Sequence, residues 1–172
     1  PIKRLLKAIR YQKDEVALKS FNGLAQGALL LDAEWSKHTL GERETFVRLL
    51  HSFFTLIAFP KLRGDLEHLE TILYDEPHAE GELMTQKATI VVLHALKKQE
   101  VPVEFILKSE GKTWLISDFT IGAGSESFLV RLKRDQIQPL LKERGWAGLI
   151  EAMEGRITQL KAKAEMNPIP SK

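Results

Sequence analysis

One aspartate lies where a buried carboxylate could perform acid–base chemistry. Asp118 interrupts an apolar segment, TWLISDFTIGAGSES at residues 113–127, which ends on two glycines and two serines. A carboxylate in such a segment must be paired or hydrogen-bonded, or its pKa rises. Asp118 is therefore either a general base, with His94 as its partner, or a group that holds the following turn through backbone amides. The sequence shows no partner for it, which favours the structural role.

The other reactive side chains do not form a known catalytic or metal-binding motif. The five histidines include no pair spaced i, i+3 or i, i+4, and the chain has no cysteine. The segment GAGSES at residues 122–127 resembles a phosphate loop or a nucleophile elbow, but it lacks the second glycine of the elbow. A glycine turn followed by a serine N-cap is the favoured interpretation. We predict no metal site and no cofactor.

Composition indicates one domain of a soluble globular protein. Of 172 residues, 44% are hydrophobic and 28% are charged. The net charge of +2, from 25 basic and 23 acidic residues, is too balanced to indicate a nucleic-acid-binding protein. The sequence contains no run of about 18 apolar residues, so we predict no stable insertion into a membrane. The chain begins at Pro1 with no apolar leader, as expected of a processed or trimmed protein.

The first third of the chain has the pattern of amphipathic helices. A basic helix is predicted near the N-terminus, and Thr39 with Glu42 forms the pattern of a capping box. The helix that follows carries large apolar residues from Phe46 to Ile57, and Pro60 is expected to end it. Its last part is apolar on nearly every side. Such a helix end is buried or faces a cavity.

The middle of the chain predicts an antiparallel sheet. Strands are expected at residues 65–74, 86–98, 101–109 and 112–121, with a tight turn at 110–112. Short connections between consecutive strands give a four-stranded meander. Helices return after Gly124, with a kink expected at Pro139 and a helix end at Gly145. The fold class is therefore α+β, as one domain over residues 1–166 and a loose tail at 167–172.

Two blocks of sequence resemble the MlaC family of toluene-tolerance, periplasmic phospholipid-binding proteins. The first runs from Trp35 through LGERETFVRLL, and the second contains Trp114, Asp118 and Ser125 at the spacing of that family. The resemblance covers roughly residues 16–160. It departs from the family pattern at Ser117, where an aromatic residue is common, and in the glycine-rich stretch before Ser125.

The resemblance implies a carrier and not an enzyme. Its sheet would be curved, similar to that of nuclear transport factors, and wrapped by the N- and C-terminal helices around an apolar cavity. The implied carrier would work in the periplasm, holding the acyl chains of a diacyl phospholipid and shuttling it between inner- and outer-membrane complexes. Trp35, Trp114, Asp118 and Ser125 would be structural. The residues expected to form the acyl-chain pocket are Leu50, Phe53, Phe54, Ile57, Leu73, Val91, Leu93, Val103, Phe105, Leu107, Ile116, Phe128, Leu132 and Leu149.

Three functions remain open at this point. The carrier predicts that Phe105→Trp or Leu93→Arg fills the cavity and abolishes lipid retention. An isomerase- or dehydratase-like enzyme requires Asp118 and His94 to meet in one pocket. An interaction module would use its basic N-terminal helix, with Lys3, Arg4, Lys7 and Arg10, to dock on an acidic partner.

Overall fold

The chain folds into an antiparallel sheet with helices at both ends of the sequence. The computed structural model describes residues 1–94 and 97–166, without the side chains of Asp65 and His94. The expected tail at 167–172 lies outside the described residues. The helices are α1 (Ile2–Arg10), α2 (Asp14–Leu18), α3 (Gly23–Leu31), α4 (Leu40–Phe53), α5 (Phe59–Glu67), α6 (Phe128–Leu132) and α7 (Gln138–Met166). The strands are β1 (Leu69–Tyr74), β2 (His78–Glu80), β3 (Leu83–His94), β4 (Lys97–Glu110) and β5 (Thr113–Ile121). None of the described helices is long and apolar enough to cross a bilayer.

The sheet is a curved meander in the order β1-β3-β4-β5, with every pair antiparallel. The short strand β2 pairs with β3 beyond the end of β1, so β1 and β2 share one edge of the sheet. Register shifts interrupt the pairing between Leu69 and Thr71 and between Ile106 and Leu107. Such bulges bend a sheet and increase its twist. The predicted α+β class and antiparallel sheet are confirmed.

Three sequence predictions about the sheet are wrong in detail. The strand predicted at 86–98 is divided between β3, which ends at His94, and β4, which begins at Lys97. Residues 65–67 belong to the end of α5 and not to the first strand. The strand β2 was not predicted, because its three residues are all exposed and show no apolar alternation. The turn between β4 and β5 is confirmed: Glu110 pairs with Thr113, and Gly111 has φ 61°.

The phenylalanine-rich helix begins as predicted and continues past its predicted end. Thr39 accepts a hydrogen bond from the backbone N–H of Glu42, whose carboxylate accepts one from the N–H of Thr39, so the capping box is confirmed. Pro60, however, does not end the helix. A π-helical turn at Phe54–Ala58 follows α4, and Pro60 is the second residue of α5.

A π turn also precedes Pro139, where the sequence predicts a kink. A second π-helical turn, Lys133–Ile137, connects α6 to α7, and Pro139 is again the second residue of the helix that follows. Proline clashes with the carbonyl four residues earlier in a regular α-helix. A π turn carries an additional residue in the turn and so relieves this clash. The non-helical φ of 64° at Gly145 then interrupts α7.

Residues 20–22 cover the edge of β5 that faces away from β4. The N–H of Ile116 donates to the carbonyl of Ser20, and the N–H of Asn22 donates to the carbonyl of Ile116. Asn22 also caps α3 through its side chain. Helix α3 packs closely on its surroundings at Gly27, where a Cβ would overlap the ring of Trp35. The core therefore lies between one face of the sheet and the helices from both ends of the chain.

Candidate functional site

Asp118 connects the last strand to the helix after it. The carboxylate is only 2% exposed. Its Oδ1 accepts hydrogen bonds from the backbone N–H groups of Phe119 (2.8 Å) and Leu129 (3.1 Å), and its Oδ2 accepts one from the hydroxyl of Ser127. Ser127 is itself the N-cap of α6, and its Oγ accepts from the N–H of Val130. Asp118 thus satisfies the N–H of Leu129 in the first turn of α6, and it holds Ser127, which satisfies that of Val130.

Asp118 and His94 lie far apart on the sheet. Asp118 pairs with Ile106 of β4, which pairs with Thr85 of β3, whereas His94 is nine residues further along β3. At about 3.3 Å per residue, the two backbone positions are roughly 30 Å apart along the strands. The side chain of His94 is outside the described residues. This backbone separation contradicts the proposed acid–base pair.

The glycine-rich stretch forms the turn between Asp118 and α6. Gly122 (φ 93°) and Gly124 (φ 68°) have backbone conformations that favour glycine. The N–H of Gly122 donates to the carbonyl of Pro102, which fixes the start of the turn on β4. Ser125 is exposed, and its Oγ lies close to Gly122, where it would touch an added Cβ. The capping serine is Ser127, two residues later.

An apolar pocket lies between the sheet and the N-terminal helices, and we call it the sheet pocket. Its volume is about 60 Å³. The lining residues are Leu5, Leu6, Ile9, Phe21, Phe54, Phe59, Leu62, Ile90, Val103, Phe105, Phe119, Ile121 and Phe128. None of these described lining residues has a polar side chain. This volume is well below the lower limit of about 300 Å³ typical of ligand sites, so an acyl chain enters only if a wall moves.

A second apolar pocket lies between α4, α6, α7 and the two π turns, and we call it the helix pocket. Its volume is about 390 Å³, within the range typical of ligand sites. The lining residues are Leu50, Phe53, Phe54, Ile57, Phe128, Leu132, Gln136, Ile137, Leu140, Ala152, Met153 and Arg156. Gln136 and Arg156 are its polar lining residues in the described part of the chain. Arg156 is exposed and contacts Gln159, with 3.4 Å between donor and acceptor.

Two phenylalanines separate the sheet pocket from the helix pocket. Phe54 and Phe128 line both pockets, and their ring centroids are 6.1 Å apart in an edge-to-face arrangement. Phe128 also stacks on Phe119, at 4.9 Å and an interplanar angle of 10°.

The π turns place residues five apart on one surface. Phe54 and Phe59 both line the sheet pocket, with ring centroids 6.3 Å apart, and Leu132 and Ile137 both line the helix pocket. In a regular α-helix, residues five apart are about 140° apart around the axis. The wider π turn brings them to one face, which a search for α-helical periodicity does not detect.

The fourteen residues expected in the acyl-chain pocket fall into four groups. Val103 and Phe105 line the sheet pocket, and Phe54 and Phe128 line both pockets. The residues that line the helix pocket alone are Leu50, Phe53, Ile57 and Leu132. The residues outside both linings are Leu73, Val91, Leu93, Leu107, Ile116 and Leu149. Within this last group Leu73 and Leu93 are exposed, and the other four are buried in the sheet or the core.

Sequence reasoning missed the contribution of α1 to the sheet pocket. Leu5, Leu6 and Ile9 are buried and line this pocket, opposite residues of the sheet. Their spacing indicated an amphipathic helix, but not the surface on which its apolar side packs. That information depends on contacts between α1 and elements distant in sequence, which one sequence does not show.

A half-buried histidine, His51, contacts Phe54, one of the two phenylalanines between the pockets. The Nε2–H of His51 donates to Oε1 of Gln26 over 3.1 Å, because an amide oxygen can only accept. The ring also stacks on Phe54, at 5.5 Å between centroids. Burial lowers the pKa of His51 to about 4, since the protonated ring would lose its hydration. His51 is therefore neutral near pH 7.

The two motif tryptophans support the surrounding elements. Trp35 packs edge-to-face on Phe46 at 6.3 Å, and the guanidinium of Arg43 lies 5.4 Å from its ring centroid. Trp114 is half-buried on β5, paired with Ser109 of β4. Among the described residues, no group of three or more His, Cys, Asp or Glu side chains could hold a metal ion.

Comparison with known proteins identifies the fold. No protein-family model and no curated protein matches the sequence. The phospholipid-binding protein from Ralstonia solanacearum, solved in complex with a phospholipid, matches with a TM-score of 0.74 at 15% identity, over 93% of this chain and 94% of that chain. A variant of the protein Rd1NTF2_05 matches with a TM-score of 0.32 at 18% identity, over 38% of this chain and 59% of that chain. The chain therefore has the fold of the Ralstonia phospholipid-binding protein.

Proposed function

We propose that the protein binds a diacyl phospholipid by its acyl chains. The observation that carries this proposal is the pair of adjoining apolar pockets, separated by Phe54 and Phe128. One chain would occupy the helix pocket, and the second would enter the sheet pocket after its wall moves. The phospholipid complex of the Ralstonia protein, which has the same fold, supports this assignment.

Transfer from water into an apolar pocket is favourable for the acyl chains and not for the polar head group. A chain of roughly 16 carbons gains about 13 kcal/mol on leaving water, at about 0.8 kcal/mol per methylene. The head group needs only a polar rim. Arg156 and Gln136 provide one at the helix pocket, and the Arg156 guanidinium is suited to a phosphate.

We further propose that the protein is a carrier of the MlaC type, located in the periplasm. It would exchange phospholipid with transport complexes of the inner and outer membranes. The sequence blocks around Trp35 and Asp118 support this proposal. Fractionation of cells locates the protein, and transfer of a fluorescent phospholipid between donor and acceptor vesicles measures carriage.

The first test is native mass spectrometry after incubation with phospholipid vesicles, followed by organic extraction. We expect one diacyl phospholipid per chain. Ala152→Trp adds an indole to the wall of the helix pocket and is expected to reduce bound lipid at least tenfold. Ala147→Trp places the same side chain on the exposed surface of α7 and serves as the matched control.

A second pair of variants tests the sheet pocket. Phe105→Trp enlarges a lining residue and is expected to reduce lipid binding, whereas Leu93→Arg lies outside both linings and is expected to retain it. This replaces the sequence-based expectation for Leu93. A protein that stays lipid-free after incubation, or equal retention by all four variants, would contradict the proposal.

A further inference from the structure

The N-terminal helix has a strongly basic outer face. Lys3, Arg4, Lys7 and Arg10 are exposed, and the opposite face of α1 is buried. With Lys13, residues 1–13 carry five cations and no acidic side chain. The whole chain has a formal charge of +2, so the other 159 residues together carry −3. A net charge of +5 is thus concentrated in the first 13 residues, whereas the rest of the chain is slightly acidic.

These cations have no acidic partner among the described side chains. The nearest acidic residues in sequence are Asp14 and Glu15, and Asp14 already binds Arg63 over 2.7 Å. Lys3 lies over the ring of Tyr74, with its Nζ 5.3 Å from the centroid. Among the side chains that the structure describes, which leave out those of Asp65 and His94, the remaining cations of α1 make no ion pair. An anionic partner would therefore meet no competitor among these described side chains.

A shallow groove of about 360 Å³ crosses this face. Lys3, Arg4, Lys7 and Lys13 surround it, together with Tyr11. Tyr11 is 61% exposed, although its ring is large. Tyrosine is enriched where a protein meets the membrane–water interface, because its ring is apolar and its hydroxyl is polar.

The other face of the same helix lines the sheet pocket. Leu5, Leu6 and Ile9 contribute to that lining. The pocket must open to admit a chain, and α1 is a wall that takes no part in the sheet pairing. A bilayer surface that holds α1 would be in contact with the wall of the lipid pocket.

We propose that the outer face of α1 docks on the surface of an anionic bilayer. The cations provide attraction to anionic head groups, and Tyr11 inserts at the interface. A membrane fits this face better than an acidic protein, because an exposed aromatic ring beside a group of cations is the combination typical of segments that lie at a membrane interface. The inference rests on the proposed lipid binding only in the role it gives to α1 as a pocket wall.

The test is co-sedimentation of the full chain with vesicles. One set contains phosphatidylcholine alone, and the other contains 30 mol% phosphatidylglycerol, both at 0.1 M NaCl. We expect binding to the anionic vesicles only, and release at 0.5 M NaCl. Each neutralised cation should weaken binding about fivefold. The variant K3Q/R4Q/K7Q/R10Q should therefore bind at least about 100-fold more weakly.

A matched control distinguishes the effect of the outer face of α1 from the effect of the net charge of the protein. The variant K112Q/K142Q/K161Q/K163Q removes four exposed lysines of α7 and the β4–β5 turn, and leaves the same net charge. It should retain vesicle binding within about threefold. Equal loss in both variants, or no binding of the unmodified protein to anionic vesicles, would overturn the proposal and direct attention to an acidic protein partner.

Native mass spectrometry of the α1 variant distinguishes the two proposals. We expect it to hold lipid supplied from detergent micelles even though it no longer binds vesicles. Vesicle binding by a protein that never holds lipid would refute the lipid-binding function and leave the docking surface intact.

Discussion

At the scale of single residues, Asp118 is explained by the N-terminus of a helix. Its carboxylate accepts from two backbone N–H groups and from Ser127, and the distance from His94 leaves it no catalytic partner there. Sequence reasoning reached the structural role because a carboxylate inside an apolar strand requires donors. It could not identify Ser127 and Leu129 as the donors, because the turn between them and β5 is not encoded in any periodic pattern.

Replacing Asp118 should therefore reduce stability. Asp118→Ala leaves the buried N–H groups of Phe119 and Leu129 without an acceptor, and we expect a loss of about 3 kcal/mol in the free energy of unfolding. Asp118→Asn keeps one acceptor oxygen and should lose less. Urea denaturation measures both. A loss below about 0.5 kcal/mol for the alanine variant would contradict the capping role.

His51 predicts a pH dependence of stability. Its pKa is about 4 in the folded protein, below its ordinary value near 6.5, so the unfolded chain binds more protons between these pH values. The free energy of unfolding therefore decreases as the pH falls through this window, by about 2 kcal/mol between pH 7 and pH 5. His51→Gln should remove this decrease, as measured by urea denaturation at both pH values.

The control for this prediction is His78→Gln. His78 is exposed and contacts Glu80 over 2.9 Å. Its replacement should leave the difference between pH 7 and pH 5 close to that of the unmodified protein. An unchanged pH dependence in His51→Gln would show that another group causes it.

At the scale of elements, the π turns were the main feature that the sequence could not reveal. Apolar residues at α-helical spacing predicted α4 correctly, and the capping box located its start. Pro60 and Pro139 were interpreted as an end and a kink, since proline usually interrupts helices. The structure instead places a π turn before each proline. The α-helix then continues, with its side chains rotated around the axis relative to the helix before the turn.

This explanation predicts a rescue. Deletion of Thr55 shortens the first π turn to a regular α-helical turn, and Pro60 then clashes with the carbonyl four residues earlier. We expect a loss of about 3 kcal/mol in the free energy of unfolding. Adding Pro60→Ala to the deletion should recover most of it, as measured by urea denaturation. If the double change is no more stable than the deletion, the π turn does not serve to accommodate the proline.

At the scale of the whole molecule, the fold class and the antiparallel order of the main strands could be predicted from the sequence. The positions of the two pockets could not. Alternating strands and a tight turn at Gly111 are local signals, so the antiparallel order could be predicted. The pocket walls combine α1, the sheet and α7, which are distant in sequence. Leu93 on β3 is exposed and Leu149 on α7 is buried, and neither lines a pocket, whereas Phe105 does; only the tertiary packing reveals this difference.

The small volume of the sheet pocket has a consequence for the ligand-free protein if it binds lipid as proposed. An apolar chamber that stayed open after its ligand left would be either a vacuum or a space filled with poorly bonded water, and both cost free energy. At about 60 Å³ this pocket contains little of either. If an acyl chain binds there as proposed, part of the free energy lost when the chain departs is recovered as the pocket walls close. Release of the chain would then be coupled to collapse of the pocket, and the empty protein would not need a replacement ligand to remain stable.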